Sequence, residues 1–228
     1  MIRENIEFIR QKIERSAVKS QRRASDVRLM AVTKFHPLSD ICTAAPFVDL
    51  IGENKVQEAT AKRQDKSAPA NIPWHMIGHM QRNKIKKAVE VFDLIESIDN
   101  VEAASVLQGV LAKAGRTFPV FIEVNVTGEE SKSGVASEGS EALLCHILEH
   151  CPLVQPCGVM TMAREEATEA ELHATFAAAR ELRNKLEQAT GVTLPDLSMG
   201  MSGDFEIAIE EGSTIVRIGS SIFGARAY

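Results

Sequence analysis

The sequence predicts a (β/α)8 TIM barrel with one extra N-terminal helix, a single domain over residues 1–228. Three observations carry the prediction. First, about eight short apolar runs succeed one another: "LMAVT", "VDLIGE", "WHMIG", "FDLIES", "PVFIEVNV", "VQPCGVM", "DLSMG" and "TIVRIG". Second, nearly every run is followed by a stretch rich in Ala, Glu, Lys, Gln and Leu. Such alternation means parallel strands joined by right-handed helical crossovers. Third, the units recur every roughly 25 to 30 residues, the spacing of an eightfold barrel. An open doubly wound sheet is the structural rival. The count, and the lack of G-x-G-x-x-G after the first run, favour the barrel.

The elements follow in order. Ile2, Ile6, Ile9 and Ile13 recur at helical spacing and predict an opening amphipathic helix. In "RLMAVTKFHP" (28–37), Leu29 to Val32 read as a buried strand, Lys34 ends it and Pro37 breaks the chain. Taken alone, a lysine there snorkels to water. The second strand ends in Gly52, Glu53, Asn54 and Lys55. The third ends in Gly78 and His79, with Gln81 and Asn83 beyond. The fourth ends at Ser97, the fifth contains Asn125, and the sixth ends near Met160 and Thr161. The seventh leads through Ser198 and Met199 to Gly200, Met201, Ser202 and Gly203. The eighth carries Arg217, then Gly219, Ser220 and Ser221. The longest helix, around 167–190, has Leu172, Phe176, Ala179, Leu182 and Leu186 on one face, and Gly191 and Pro195 stop it. "SAPANIP" (67–73) and "TGEESKSG" (127–134) read as loops.

Composition narrows the class. A net charge of -5, with 44% hydrophobic and 25% charged residues, is ordinary for a soluble globular protein. The acidic balance, without any block of five or more basic residues, argues against a nucleic-acid binder. No apolar run reaches about 18 residues, so no membrane span is expected. The opening residues lack a signal-peptide core, which points to the cytoplasm. Cys42, Cys145, Cys151 and Cys157 form no C-x-x-C pair and read as reduced packing residues. In "CHILEHC", His146 and His150 share a helix face, but no partner motif follows, so no metal is expected.

Barrels place their chemistry at the C-terminal ends of the strands. "SMGMSGDFEIAIEEG" puts Ser202 where it can cap a helix over about 203–211, leaving free amides that suit an anion. "RIGSSIFGAR" offers a second Gly-Ser turn. Loops after the last two strands often build a phosphate site. The sequence holds no GK[ST], which excludes a P-loop. By alternation Arg217 shares a face with Ile215. Buried there, it needs a partner, either a carboxylate or a ligand. A lysine, a phosphate cradle and an inward arginine together fit pyridoxal 5'-phosphate (PLP), which needs an amine, an anion site and a partner for its ring nitrogen. A sugar phosphate held by a Schiff-base lysine fits them as well.

The matching stretches are "AVTK" (31–34), "GENKVQE" (52–58), "WHMIGHMQRNK" (74–84), "VNVTGEESKSG" (125–134), "GVMTMA" (158–163) and "LSMGMSGDFEIAIEEGSTIVRIGSSIFGAR" (197–226). On these the chain resembles the YggS/PROSC family of PLP-binding proteins, also called PLP homeostasis proteins. The resemblance implies a barrel like the N-terminal domain of alanine racemase, with Lys34 forming the Schiff base with PLP. It implies that Ser202, Gly219 and Ser220 bind the phosphate and that Arg217 faces the pyridine nitrogen. It further implies that Asn54 lies near the cofactor and that Ser198 and Met199 line the pocket. His79 and Met80 in "IGHMQ", and Gly203 in "GMSGD", depart from the family pattern without touching these positions.

An arginine beside the ring nitrogen only donates, so it disfavours ring protonation and weakens the electron sink. A racemase needs a base on each face of the substrate carbon. Similar racemases take the second from a tyrosine of another domain, whereas the only tyrosine here is Tyr228. The expectation is therefore a monomeric, cytoplasmic carrier that buffers PLP, takes part in vitamin B6 and amino-acid homeostasis, and passes PLP to apo-enzymes. The alternatives are a weak PLP-dependent racemase or lyase, a transfer module, and a sugar-phosphate enzyme. Lys55, Lys84 and Lys132 stay open as a second PLP site.

Overall fold

The computed structural model describes residues 1–129 and 132–224. Eight parallel strands close into a barrel: β1 (Arg28–Val32), β2 (Leu50–Glu53), β3 (Trp74–Met76), β4 (Leu94–Ile98), β5 (Phe118–Asn125), β7 (Val154–Met160), β8 (Asp196–Ser198) and β9 (Ile215–Ile218). Closure comes from β1 on β9, with Met30 opposite Arg217, and from β4 on β5. All eight coincide with the apolar runs of the sequence. A two-residue strand, β6 (Val135–Ala136), pairs with the end of β5 and was not expected. It follows the predicted 127–134 loop, of which Glu130 and Ser131 lie outside the described residues.

Barrel strands bury both faces, and two cores result. Met30, Leu50, Leu94, Phe121, Met160 and Ile215 fill the inside. The larger core lies between the strands and the surrounding helices, and contains Leu29, Ala31, Ile51, Trp74, Val216 and Ile218. Residues of β1 and β9 thus alternate between the two, as a period of two requires.

Helix α1 (Ile2–Lys19) buries Ile6, Ile9, Ile13 and Ala17, the predicted stripe. It packs on α2 (Leu38–Ala44), α8 (Phe205–Glu210) and α9 (Ser220–Phe223). The last helix has only four residues, and α1 covers the gap in the outer ring. Lys12 to Glu206 (2.6 Å) and Asn5 Nδ2 to the Ile222 carbonyl (2.9 Å) fix it there. Helix α7 (Glu169–Thr190) opens on a capping box of Thr168 and Glu171 and ends at Gly191 in the left-handed region, φ 71°.

One expectation fails in detail. Ser202 does not cap α8. The residue before that helix is Asp204, whose Oδ1 accepts from the Met201 amide at 2.5 Å. Gly200, at φ 94°, turns the chain so tightly that a Cβ there would stand 2.6 Å from Ala208 Cβ. That turn brings Ser202 towards α9, where its Oγ lies 3.5 Å from the Ser221 amide.

The described helices include none long and apolar enough to cross a membrane. Among the described residues no group of three His, Cys, Asp or Glu is placed to hold a metal, and the four cysteines are free. His146 and His150 rest ring against ring at 4.8 Å.

Candidate functional site

A cavity of about 270 Å³ opens at the C-terminal ends of the strands. Lys34, Asn54, Ser202, Arg217, Gly219 and Ser220, six of the eight predicted site residues, line it together. The lining does not include Ser198 and Met199. Ser198 lies one level lower, inside the barrel and hydrogen-bonded to Arg217. Met199, one residue further, faces the outer core and is fully buried there.

Lys34 stands just past β1 in a turn whose next residue, Phe35, adopts φ 68°. A non-glycine residue there costs about 1–3 kcal/mol and persists only where its surroundings impose it. Here they do. Glu58 of α3 (Val56–Arg63) accepts from the Phe35 amide at 2.6 Å. Lys62, one helical turn on, bonds Glu58 (2.7 Å), Glu53 (2.6 Å) and the Thr33 carbonyl (2.8 Å). Thr33 Oγ1 donates to the same Glu53 oxygen at 2.5 Å. Burial raises the Glu53 carboxyl above its ordinary range, while Lys62 and Thr33 oppose that shift. Glu53 therefore serves the outside of the barrel, clamping the turn that presents Lys34. Lys55 rests over the Phe35 ring at 5.4 Å.

Asn54 reaches the cavity from the loop after β2. Its Oδ1 is buried without a hydrogen-bond partner among the described residues, an acceptor left for a ligand. Gly78 makes this placement possible, since a Cβ there would stand 2.3 Å from the Asn54 carbonyl oxygen. Ser97 Oγ donates to the Gly78 carbonyl at 2.6 Å and ties the third loop down. Asn125 turns instead to its own loop, bonding the Glu129 carbonyl.

Ser202, Gly203, Gly219 and Ser220 also line the cavity, and their two turns meet through Ser202 Oγ and the Ser221 amide. Among the described residues the amides of Ser202, Gly203 and Ser220 make no backbone hydrogen bond. Free amides and two hydroxyls at a helix start are the donor set a phosphate dianion needs.

Arg217 forms the floor, 4% exposed. Its Nη1 donates to Ser198 Oγ at 2.8 Å and its Nη2 to the Thr161 carbonyl at 2.9 Å. Burial lowers its pKa, while Glu96, Asp204 and Glu123 oppose the shift. Two of its five N–H groups are so engaged.

His36, Ile77, Met160 and Met162 also line the cavity, and none of them is a site residue by the sequence. His36 stacks on Phe223 at 4.4 Å, with Nδ1 3.6 Å from Asp40. Its nearness to Lys34 was the one signal for it. Nothing in the methionines distinguishes them from core.

Glu123, inside the barrel, was also missed. Its Oε2 is buried without a hydrogen-bond partner among the described residues. Burial, then Asp99 and Glu96, push the carboxyl up to about 7, against the pull of Arg217. The folded chain thus keeps a proton that the unfolded chain releases near pH 4.5. Its contribution is complete below that pH and is lost as pH rises through 7. Between pH 5 and 8 the wild type should lose roughly 2–3 kcal/mol more stability than Glu123→Gln. Urea unfolding of both across that range checks this, and parallel pH profiles would contradict it.

Three comparisons bear on this geometry. The family model for the alanine racemase N-terminal domain matches residues 2–227. The pyridoxal phosphate homeostasis protein of Pseudomonas aeruginosa is 38% identical over 228 residues, all of this chain and 96% of that one. The protein of the same name from Aquifex aeolicus is 43% identical over 78% of this chain and 77% of its own. Among solved structures, PipY of Synechococcus elongatus with PLP bound superposes at TM-score 0.82 and 36% identity, covering 93% of this chain and 100% of that one. Alanine racemase of Clostridium difficile shares the fold at TM-score 0.77 and 16% identity, over 99% of this chain and 60% of that one. Matched over nearly its whole length, with its strand-end lysine and Ser-Gly turns on one cavity, the chain belongs to the pyridoxal phosphate homeostasis proteins, built on the alanine racemase N-terminal barrel.

Proposed function

We propose that this chain, acting as one domain, binds PLP with Lys34 as its covalent anchor. On this reading it takes part in intracellular PLP and amino-acid homeostasis without turnover of its own. The observation that carries it is the meeting, on one cavity, of Lys34, the donor-rich Arg217 and the amides of Ser202, Gly203 and Ser220, which make no backbone hydrogen bond among the described residues. The relatives' shared name and the PLP held by PipY support it. When bound, PLP supplies an aldehyde to the lysine amine. Lys34 binds at that end and the two Ser-Gly turns at the phosphate end. Arg217 offers hydrogens to a ring nitrogen that keeps its lone pair, since a guanidinium cannot accept. Asn54 contributes its unpartnered oxygen along the edge. The chain acts as a cytoplasmic monomer that hands PLP to apo-enzymes.

A second reading, weak racemase or lyase activity, is favoured by one observation: His36 places a second titratable group on the cavity wall beside Lys34.

The test is a PLP titration followed by ultraviolet–visible absorbance, then borohydride reduction and peptide mapping. One PLP per chain on the Lys34 peptide is expected. Labelling elsewhere, or none, would overturn the assignment. Chiral chromatography of amino acids incubated with the loaded protein separates the two readings, and rapid turnover of any of them would favour the second.

A further inference from the structure

The layer beneath the cavity is built from polar residues. Branched apolar residues ordinarily fill a barrel's interior. Here His75 of β3, Glu96 of β4, Ser198 of β8 and Arg217 of β9 meet there, none more than 4% exposed. A carboxylate buried in this way is weak as a source of stability, because desolvation offsets its pairing. It needs another explanation.

With Glu96 taken as a carboxylate, which only accepts, the hydrogens in this layer take one arrangement. Arg217 can only donate, so Ser198 Oγ accepts from Nη1 at 2.8 Å. The single hydroxyl proton of Ser198 then goes to Glu96 Oε2, 2.6 Å away. The other carboxylate oxygen, Oε1, lies 2.7 Å from His75 Nδ1, which supplies a proton to it. The His75 ring is held edge-on to Phe121 at 6.3 Å. The bonds run in sequence from His75 through Glu96 and Ser198 to Arg217, which lines the cavity. The Thr161 carbonyl takes the second Arg217 amino group from the side. The other two acids near Arg217 do not contribute to this order. Asp204 is bound to the Met201 amide, and the buried Glu123 Oε2 has no hydrogen-bond partner among the described residues.

We propose that Glu96, anchored by His75 and acting through Ser198, is the positioning residue that fixes the Arg217 guanidinium so that its remaining N–H groups serve the ligand's ring. This rests on the PLP reading for the identity of that ring, but the locking of Arg217 is a property of the protein alone. His75 and Glu96 touch no ligand. Their effect is to remove the rotational freedom of a donor that does.

The test compares the wild type with Ser198→Ala, which cuts the link, and Glu96→Gln, which keeps an acceptor for Ser198 but removes the charge. Three readouts are taken where thermal melts show each protein folded. The first is PLP affinity with the pH profile of its absorbance. Ser198→Ala should bind PLP about tenfold or more weakly, the scale of a lost charge-assisted hydrogen bond, and its pH midpoint should move. Glu96→Gln should shift the midpoint with a smaller loss of affinity. The second is inorganic phosphate affinity of the apo-protein, which should stay at the wild-type value because the cradle is untouched. The third is 15N NMR of the apo-protein, in which the Arg217 guanidinium should show hindered rotation in the wild type and free rotation in Ser198→Ala. A purely structural layer would lower the melting temperature of both variants while leaving PLP affinity and the pH midpoint unchanged. That result, an equal loss of phosphate binding, or free guanidinium rotation in the wild type would each overturn the proposal. Failure of the wild type to bind PLP, with the guanidinium still locked, would reject the ligand reading and leave the positioning role supported.

Discussion

Arg217→Met should destabilise the protein by about 3–5 kcal/mol, the usual cost of removing one member of a buried charged network. For a chain of this size that lowers the melting temperature on the order of 10 °C. Methionine fills similar space, so the loss is electrostatic and not a cavity effect. Glu96 and Asp204 lose the cation that offsets their burial, and the Thr161 carbonyl and Ser198 hydroxyl lose a donor. Arg217→Lys recovers only part of this, because a single ammonium does not reproduce a planar fork bonded at two amino groups. Urea unfolding at pH 7 measures the difference. A loss under about 1 kcal/mol would mean that the floor of the cavity is not organised around this cation.

The second large effect is chemical. Lys34→Ala should leave the fold intact, since Lys34 is half-buried in a turn held by its neighbours' contacts with α3. PLP retention after gel filtration and borohydride labelling should vanish, and PLP affinity should fall about 100-fold or more, ~2.7 kcal/mol. Inorganic phosphate should bind as before, because Ser202, Gly203 and Ser220 stand on other strands' loops. An unchanged PLP absorbance in Lys34→Ala would remove this residue as the anchor.

The barrel was legible because its strands bury both faces and so read as continuous apolar runs, even where β3 and β8 form only three residues of regular strand. Lining residues of the cavity were legible where a polar residue stood just past a strand, as Lys34 and Asn54 do, or broke an apolar one, as Arg217 does. They were not legible where parity decides. In "LSMGMS", Ser198 turns inward while Leu197 and Met199 face outward, and Met201 returns to the cavity once Gly200 has bent the chain. Ser202 carried every sign of a helix cap, yet the turn at Gly200 gave that position to Asp204. His75, Glu96 and Glu123 sit within apolar runs, and their inward direction depends on a register the sequence does not display. Lys62 sits in a helical pattern as one more surface cation, yet it braces the strand-end turn beside Lys34. Tyr228, the only tyrosine of the sequence, lies outside the described residues.

The closing pair of the barrel joins β1 to β9, and α1 rests on helices some 200 residues later, as between Asn5 and Ile222, 217 positions apart. These are contacts of long sequence separation, slow to form because a large loop must close before they can be made. Lys34 therefore emerges early in synthesis, while Arg217, Gly219 and Ser220 emerge among the last residues. For most of that interval Lys34 exists without Arg217, the floor of its cavity, and without the turn at Gly219 and Ser220. On the PLP reading, the cavity that would receive the aldehyde is complete only once the last strand is in place.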